Sequence, residues 1–164
     1  MKKIAIAFTG PSNSGKTTLI TKVAEILIQK HQVAIIKNDP KDKAKFDTEG
    51  KDSYKFTQTG AETVVVSPTR TTFFSQKSRS LDELIKMLGD FEILLVEGLK
   101  TLPLPRIAIF REKIDESYFE SSNAIAIDES VDISKYKIPE HIDLLDLNNP
   151  DEVIRWIFKN AKAV

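Results

Sequence analysis

The segment GPSNSGKT, residues 10–17, has the residue types and spacing needed to bind a phosphate group. It fits the pattern G-x-x-x-x-G-K-T, in which glycines let successive backbone N–H groups approach an anion closely. In such a loop Lys16 reaches the β- and γ-phosphates of a nucleotide, and the Thr17 hydroxyl group ligates Mg²⁺. The residues predicted to line this phosphate site are Gly10, Pro11, Ser12, Asn13, Ser14, Gly15, Lys16, Thr17 and Thr18.

Two acidic residues follow apolar segments that are typical of buried strands. Glu97 comes directly after the run EILLV, and Asp39 lies two residues after VAIIK. The carboxyl ends of parallel strands meet at one edge of a sheet, where ligands bind. We therefore predict catalytic roles for Lys16, Asp39 and Glu97, and a Mg²⁺ site formed by Thr17, Asp39 and Glu97. A turn aspartate at Asp39 and a solvated strand-end carboxylate at Glu97 are the alternative interpretations.

Arg70 and Arg111 are candidates for a second anion site or for an arginine finger at a subunit contact, because a guanidinium group binds phosphate through two parallel hydrogen bonds. A solvated surface arginine is the alternative at each position. The chain contains no N-K-x-D or T-K-x-D segment that reads a guanine base. The residue patterns therefore leave the base of a bound nucleotide open.

The elements that must position these residues alternate between short apolar blocks and longer segments of helical periodicity. This alternation predicts an α/β fold with three layers, in which a mostly parallel central sheet has helices on both faces, as in P-loop NTPases. We expect one domain over residues 1–164. The predicted strands are 4–8, 33–37, 62–67, 69–76, 92–96, 105–111 and 123–128, and the predicted helices are 16–29, 52–60, 81–88 and a last one that starts at Pro150.

Composition excludes several classes of protein. Lys plus Arg and Asp plus Glu each number 24, so the formal net charge of +0 provides no general attraction for nucleic acid or for an anionic membrane. Cysteine is absent, which excludes disulfides and thiolate metal sites. No apolar run approaches the roughly 20 residues that span a bilayer. We expect a cytoplasmic protein without nucleic-acid or membrane partners.

The order of several segments resembles the MobB family, the molybdopterin-guanine dinucleotide biosynthesis adapter proteins. These segments are GPSNSGKTTL, IIKND, FDTEGKDSYKFTQTGA, SPTR, ILLVEGLK and PRIAIFR, and they cover roughly residues 3–111. The most distinctive piece is GKDSY, residues 50–54, followed by Gly60 and Ala61, because P-loop proteins in general do not share it. The carboxyl third has no matching motif.

The resemblance implies a GTP-binding homodimer with weak, Mg²⁺-dependent GTPase activity that assists attachment of a GMP moiety to molybdopterin. The implied partners are the guanylyltransferase MobA and the molybdenum-insertion protein MoeA. Further recurrent polar positions of the family match Asp39, Asp47, Lys51, Asp52, Ser53, Arg70 and Arg111, and of these we assign Lys51, Asp52, Ser53, Arg70 and Arg111 to ligand binding. Many members carry histidines beside the equivalent of Asp39, whereas this chain has Asn38 and Pro40. A histidine-based metal site is therefore unsupported there.

Three other functions compete with the adapter interpretation. A small-molecule kinase or ATP-dependent ligase on the same fold predicts efficient phosphoryl transfer, but no arginine-rich lid segment is visible. A metallocentre-maturation GTPase predicts histidine or cysteine clusters near the amino terminus, and these are absent. A purely structural α/β module predicts that Lys16 is dispensable for nucleotide binding.

Overall fold

The computed structural model describes residues 2–164. In chain order the elements are β1 (Ile4–Thr9), α1 (Lys16–Leu27), β2 (Val33–Lys37), α2 (Asp52–Gln58), β3 (Thr63–Val66), β4 (Thr71–Phe74), α3 (Leu81–Leu88), β5 (Ile93–Glu97), β6 (Arg106–Phe110), β7 (Ala124–Ile127), β8 (Asp143–Asp146), α4 (Pro150–Asn160) and β9 (Lys162–Ala163). Two 3-10 helices, Glu116–Ser121 and Ile133–Lys135, flank the segment that contains β7. The described residues form two compact units.

The first unit runs up to Asn38 and resumes over Asp90–Val164. Its sheet has the strand order β2-β5-β1-β6-β7-β8, and all five pairings along that order are parallel. The short β9 pairs antiparallel with the start of β1. Because β1 lies between β5 and β6, the loop that follows it has sheet neighbours on both sides.

Both faces of this sheet are covered, since nearly every residue of its central strands β1, β5 and β6 is buried. Along β6, Ile107 and Ile109 pack into the larger core with α1 and α4, whereas Ala108 and Phe110 point into a second core. The second core is closed by Phe119 of the 3-10 helix Glu116–Ser121. Burial on both faces explains why these strands are continuous apolar runs without polar alternation.

The second unit, Asp39–Gly89, contains α2, the antiparallel hairpin of β3 and β4, and α3. Its hairpin has Thr63 opposite Phe74 and Val66 opposite Thr71. The two strands form their own two-stranded sheet. Several apolar side chains of this unit are exposed, namely Phe46, Phe56, Val64, Val65, Val66, Phe73, Met87 and Leu88.

The mostly parallel α/β sheet expected from the sequence is confirmed, and most element boundaries agree within about two residues. The helix α2 begins at Asp52 as predicted, with Lys51 as its N-cap residue. On α4, Val153, Trp156 and Ile157 are buried, whereas Phe158 is half exposed. The single domain predicted for residues 1–164 stays a prediction.

The strands β8 and β9 are the elements that the sequence patterns missed. The strand β8 has the sequence DLLD, in which only Leu145 is buried, and β9 contains just two residues. Their strand pairing comes from neighbours distant in the chain and not from a local apolar pattern. No helix in the described part of the chain is long and apolar enough to cross a membrane.

We expect Ser80→Ala to lower the free energy of unfolding by about 1 kcal/mol, because Ser80 caps α3. Its Oγ accepts a hydrogen bond from the Glu83 backbone N–H, and the Glu83 side chain accepts one from the Ser80 N–H. Urea denaturation followed by circular dichroism measures this loss. Ser78→Ala, at a nearby exposed position, is the matched control, and an equal effect of both changes would contradict the capping role.

Candidate functional site

The functional residues of the first unit lie along one edge of its sheet. The strands β1, β2, β5, β6, β7 and β8 are parallel and therefore end at the same edge. The residues that follow their carboxyl ends are, in the same order, Gly10, Asn38, Gly98, Arg111, Asp128 and Leu147. The phosphate loop predicted from the sequence occupies the centre of this edge, between β1 and α1.

Gly10 and Gly15 give the loop between β1 and α1 its shape. Gly10 has φ of 140°, and a Cβ atom placed there would lie 2.4 Å from the carbonyl oxygen of Ile109 and 3.1 Å from Ser14 Oγ. Gly15 has φ of 95° and is the N-cap residue of α1. These left-handed values favour glycine, and no side chain fits at position 10 without moving the backbone of β6.

Lys16 folds back over this loop. Its Nζ atom donates hydrogen bonds to the carbonyl oxygens of Gly10 at 2.9 Å and Pro11 at 2.7 Å. Burial lowers the pKa of the Lys16 ammonium group below its usual range; Glu97 opposes this change, and the positive charges of Lys37 and Lys100 reinforce it. A phosphate anion bound nearby would favour the charged form of Lys16.

A cavity of about 320 Å³ opens at the amino end of α1, and we call it the phosphate pocket. It is lined by Asn13, Gly15, Lys16, Thr17, Thr18 and Arg111. The unpaired backbone N–H groups of the first helical turn and the positive end of the helix dipole both favour an anion at this position. The structure thus brings together most of the loop residues predicted from the sequence.

Glu97 lies at the carboxyl end of β5, opposite Lys37 at the end of β2. The Lys37 Nζ atom is 2.8 Å from Glu97 Oε2, so the carboxylate is paired with a lysine. Within residues 2–164 no three His, Cys, Asp or Glu side chains are grouped as a ready-made metal cage. Oxygen donors from Thr17 and Glu97 nevertheless fit Mg²⁺, which keeps several waters and is usually bound by few protein groups together with phosphate oxygens.

Arg111 is held beside the loop by Asp128. The Arg111 Nε atom donates a 2.7 Å hydrogen bond to Asp128 Oδ2, and the Arg111 Cδ atom lies 3.6 Å from the position of a Cβ atom on Gly15. The hydrogen bond from the Ser130 hydroxyl group is the main cause of the lowered pKa of Asp128, and Arg111 lowers it further, against the effect of desolvation. Within residues 2–164, Nε is the only side-chain nitrogen of Arg111 that has a protein hydrogen-bond partner, so its terminal nitrogens can donate to a ligand.

Arg106 is a buried structural residue near the site that the sequence analysis did not single out. It is only 1% exposed, and its guanidinium group donates to the carbonyl oxygens of Gly98, Leu99, Lys100 and Leu102 at 3.0–3.3 Å. Burial lowers the pKa of this guanidinium group below its usual range. These bonds fix the segment directly after Glu97, which also carries Lys100.

The other predicted site residues belong to the second unit. The Asp39 carboxylate accepts hydrogen bonds from the backbone N–H groups of Lys43 and Ala44 at 2.8 and 2.7 Å. Asp47 accepts a hydrogen bond from the Ser53 hydroxyl group at 3.1 Å.

A groove of about 480 Å³ beside β3 is lined in part by Lys51, Asp52 and Ser53. Arg70 is exposed in the turn between β3 and β4, where its backbone N–H donates to Ser67 Oγ. The ligand and metal roles assigned to these residues of the second unit stay predictions.

Three of the residues that the sequence analysis missed share one signal, their position at the end of a strand. Lys37 ends β2, Asp128 follows β7, and Asn148 lies two residues after β8, so all three are at carboxyl ends of parallel strands. The rule that placed Glu97 and Asp39 at the site could have found Lys37 and Asp128 too. Arg106 starts a strand, and its burial could not be read from the local pattern.

The parallel sheet with a phosphate loop between β1 and α1 defines a P-loop NTPase fold. A solved structure of the hydrogenase maturation factor HypB from Archaeoglobus fulgidus shares this fold with a TM-score of 0.54 at 17% identity, over 96% of this chain and 87% of that one.

A family model described as molybdopterin guanine dinucleotide synthesis protein B, MobB, matches residues 5–129. The molybdopterin-guanine dinucleotide biosynthesis adapter protein of Haemophilus influenzae is 32% identical over 160 residues, which cover 93% of this chain and 86% of that protein. A crystal structure of Bacillus subtilis MobB has a TM-score of 0.76 at 22% identity, over 97% of this chain and 98% of that one. This chain therefore belongs to the MobB family.

We expect Gly10→Ala to lower the free energy of unfolding by roughly 3 kcal/mol or more, because the new methyl group would overlap the carbonyl oxygen of Ile109. Gly60→Ala is the matched control: Gly60 also has a left-handed φ, of 84°, but nothing lies within 4 Å of its Cβ position. The control should cost only the backbone strain of about 1–2 kcal/mol. Denaturant unfolding compares the variants, and equal losses would mean that close packing is not the constraint on Gly10.

We expect Arg106→Met to lower the free energy of unfolding by roughly 2–4 kcal/mol, because four carbonyl oxygens lose a charged donor. Hydrogen exchange at the backbone amides of residues 98–102 should become faster than in the unmodified protein. Arg155→Met removes an arginine from the exposed side of α4 and serves as the control. Unchanged exchange in residues 98–102 would show that Arg106 does not hold this segment.

Proposed function

We propose that this chain is a GTP-binding adapter in molybdenum cofactor biosynthesis that assists the conversion of molybdopterin to molybdopterin-guanine dinucleotide. The observation that carries the proposal is the phosphate pocket, in which Lys16 and the amino end of α1 face the same cavity. Membership of the MobB family supplies the pathway, since the Haemophilus influenzae relative is named as an adapter of molybdopterin-guanine dinucleotide biosynthesis.

In the proposed complex, Lys16 exchanges its bonds to the carbonyl oxygens of Gly10 and Pro11 for bonds to the β- and γ-phosphates. The backbone N–H groups at the start of α1 and the Arg111 guanidinium group neutralise further phosphate charge. Thr17 and Glu97 would hold Mg²⁺, which stabilises negative charge on the phosphate oxygens when it is bound. Asp39 remains our candidate for a further metal contact.

The pairing of Glu97 with Lys37 agrees with weak GTPase activity. The Glu97 carboxylate accepts a 2.8 Å hydrogen bond from Lys37, so one of its oxygen atoms already has a partner other than an attacking water. The buried Arg106 holds the segment after Glu97 through four carbonyl groups. We infer that nucleotide binding, more than rapid hydrolysis, is the useful property of this site.

The proposed partners are MobA, MoeA, molybdopterin and a second copy of this chain, in the cytoplasm. The exposed apolar side chains of the second unit support a protein partner there: Val64 is 53%, Val66 73% and Phe73 42% exposed. Exposed apolar side chains grouped on one hairpin are typical of protein contact sites. The groove lined by Lys51, Asp52 and Ser53 adjoins the same β3 strand.

Calorimetric titration with Mg-GTP and Mg-ATP tests the nucleotide part of this proposal. We expect tighter binding of GTP, and a loss of about 100-fold or more in Lys16→Ala because a charged donor to two phosphates is removed. Lys30→Ala, at an exposed position just after α1, is the control and should bind normally. A preference for ATP would favour the alternative of a small-molecule kinase or ATP-dependent ligase, and normal binding by Lys16→Ala would exclude this loop as the site.

A further inference from the structure

A second cavity adjoins the phosphate pocket, and we call it the side pocket. It measures about 180 Å³ and shares Gly15, Thr18 and Arg111 with the phosphate pocket, while Leu147 and Asn148 form its far side. A nucleotide with its phosphates on the loop must place its nucleoside in a space continuous with the phosphate pocket. The side pocket provides such a space at the carboxyl end of β8.

The walls of the side pocket suit a flat aromatic ring. Leu147 is a buried apolar residue directly after β8, and it belongs to the larger core. Arg111 also lines the side pocket, and its Nε bond to Asp128 restricts the guanidinium group. A planar guanidinium group stacks on aromatic faces, and an apolar wall excludes water from the ring.

A pair of polar side chains lies where the loops after β7 and β8 meet. The Asn148 Nδ2 atom donates a hydrogen bond of 3.3 Å to Glu129 Oε2. A carboxylate can only accept, so the NH₂ group of Asn148 must face Glu129. The pair therefore presents one amide donor beside one carboxylate acceptor. Asn148 lines the side pocket, and its hydrogen bond holds Glu129 next to that wall, although Glu129 is not itself a lining residue.

This donor and acceptor pair distinguishes the two purine bases. Guanine presents an O6 acceptor next to N1–H and N2–H₂ donors, whereas adenine presents an N6–H₂ donor next to an unprotonated N1. A carboxylate facing guanine accepts two hydrogen bonds, but facing adenine it meets the lone pair of N1. An amide N–H beside the carboxylate is placed to donate to O6.

We propose that Glu129 and Asn148 read the base of the bound nucleotide in the side pocket, and that Glu129 selects guanine over adenine. This inference rests on the proposed function, because it requires a nucleotide on the phosphate loop. Asn148 donates to O6, and the Glu129 carboxylate accepts from N1–H and N2–H₂. The pair thus replaces the N-K-x-D segment that the sequence lacks.

The neighbouring Asp128 is unsuited to this role. Its side chain is 2% exposed, and its two oxygens already accept hydrogen bonds from Ser130 and from Arg111 Nε. Glu129, by contrast, is exposed. Asp128 therefore acts as a positioning residue for Arg111, while Glu129 is available to a ligand.

Calorimetric titrations of the full chain with the Mg²⁺ complexes of GTP, ATP, XTP and inorganic tripolyphosphate test the inference. The variants are Glu129→Gln and, as the matched control, Glu140→Gln; Glu140 is likewise exposed, but within residues 2–164 it makes no hydrogen bond to a residue that lines either pocket. Glu129→Gln replaces one acceptor oxygen by an NH₂ donor. Xanthine has a C2 carbonyl group where guanine has N2–H₂, so the new donor matches XTP.

We expect Glu129→Gln to weaken GTP binding by about 10- to 100-fold and to strengthen XTP binding, because hydrogen bonds to a charged group are exchanged for a neutral donor. Tripolyphosphate affinity should not change, since it depends on the phosphate loop alone. The control should behave as the unmodified protein.

Unchanged GTP and XTP affinities in Glu129→Gln would overturn the base-reading role and leave the proposed GTP-binding function standing. If the unmodified protein prefers ATP, or binds neither nucleotide nor tripolyphosphate, then the proposed function and this inference both fail. An equal loss of GTP and tripolyphosphate affinity in Glu129→Gln would likewise overturn the base-reading role, since that result shows a general effect on the phosphate loop.

Discussion

The carbonyl oxygen of Ile109 lies so close to Gly10 that a Cβ atom there would be 2.4 Å away. This approach is possible because β1 and β6 are adjacent parallel strands, and it directs the chain after β1 over the end of the sheet and into α1. The phosphate pocket is the direct result, since the loop carbonyls that hold Lys16 and the amino end of α1 face the same cavity. A larger residue at position 10 would displace the backbone of the phosphate loop.

The charged groups around the phosphate loop favour the binding of an anion. Burial lowers the pKa of the Lys16 ammonium group, the positive charges of Lys37 and Lys100 lower it further, and the negative charge of Glu97 opposes this change. Phosphate oxygens supply the missing negative charge, and they are worth more where water is partly excluded. Lys37 pairs with Glu97 for the same electrostatic reason, because an unpaired carboxylate at this edge of the sheet would repel the phosphates.

Two arginines at opposite ends of β6 have different roles. Arg106 is buried and spends its donors on backbone carbonyls after Glu97, so it holds protein structure. Arg111 is half exposed and tied by one nitrogen to Asp128, so it is positioned yet available to a ligand. Arg106 begins the strand RIAIF and Arg111 follows it directly. The residues next to each arginine in the sequence do not show which of the two is buried. Burial by the surrounding loops decides which arginine is structural.

The sequence by itself determined the phosphate loop, the alternation of strands and helices, and the family, because each depends on residue types at short and regular spacing. Only the tertiary structure decided that Glu97 pairs with Lys37, that Arg106 is buried, and that Asn148 meets Glu129. The first and the last of these contacts join residues 60 and 19 positions apart in the chain. No local pattern encodes them, because they arise from which strands become neighbours and from where the parallel strands end.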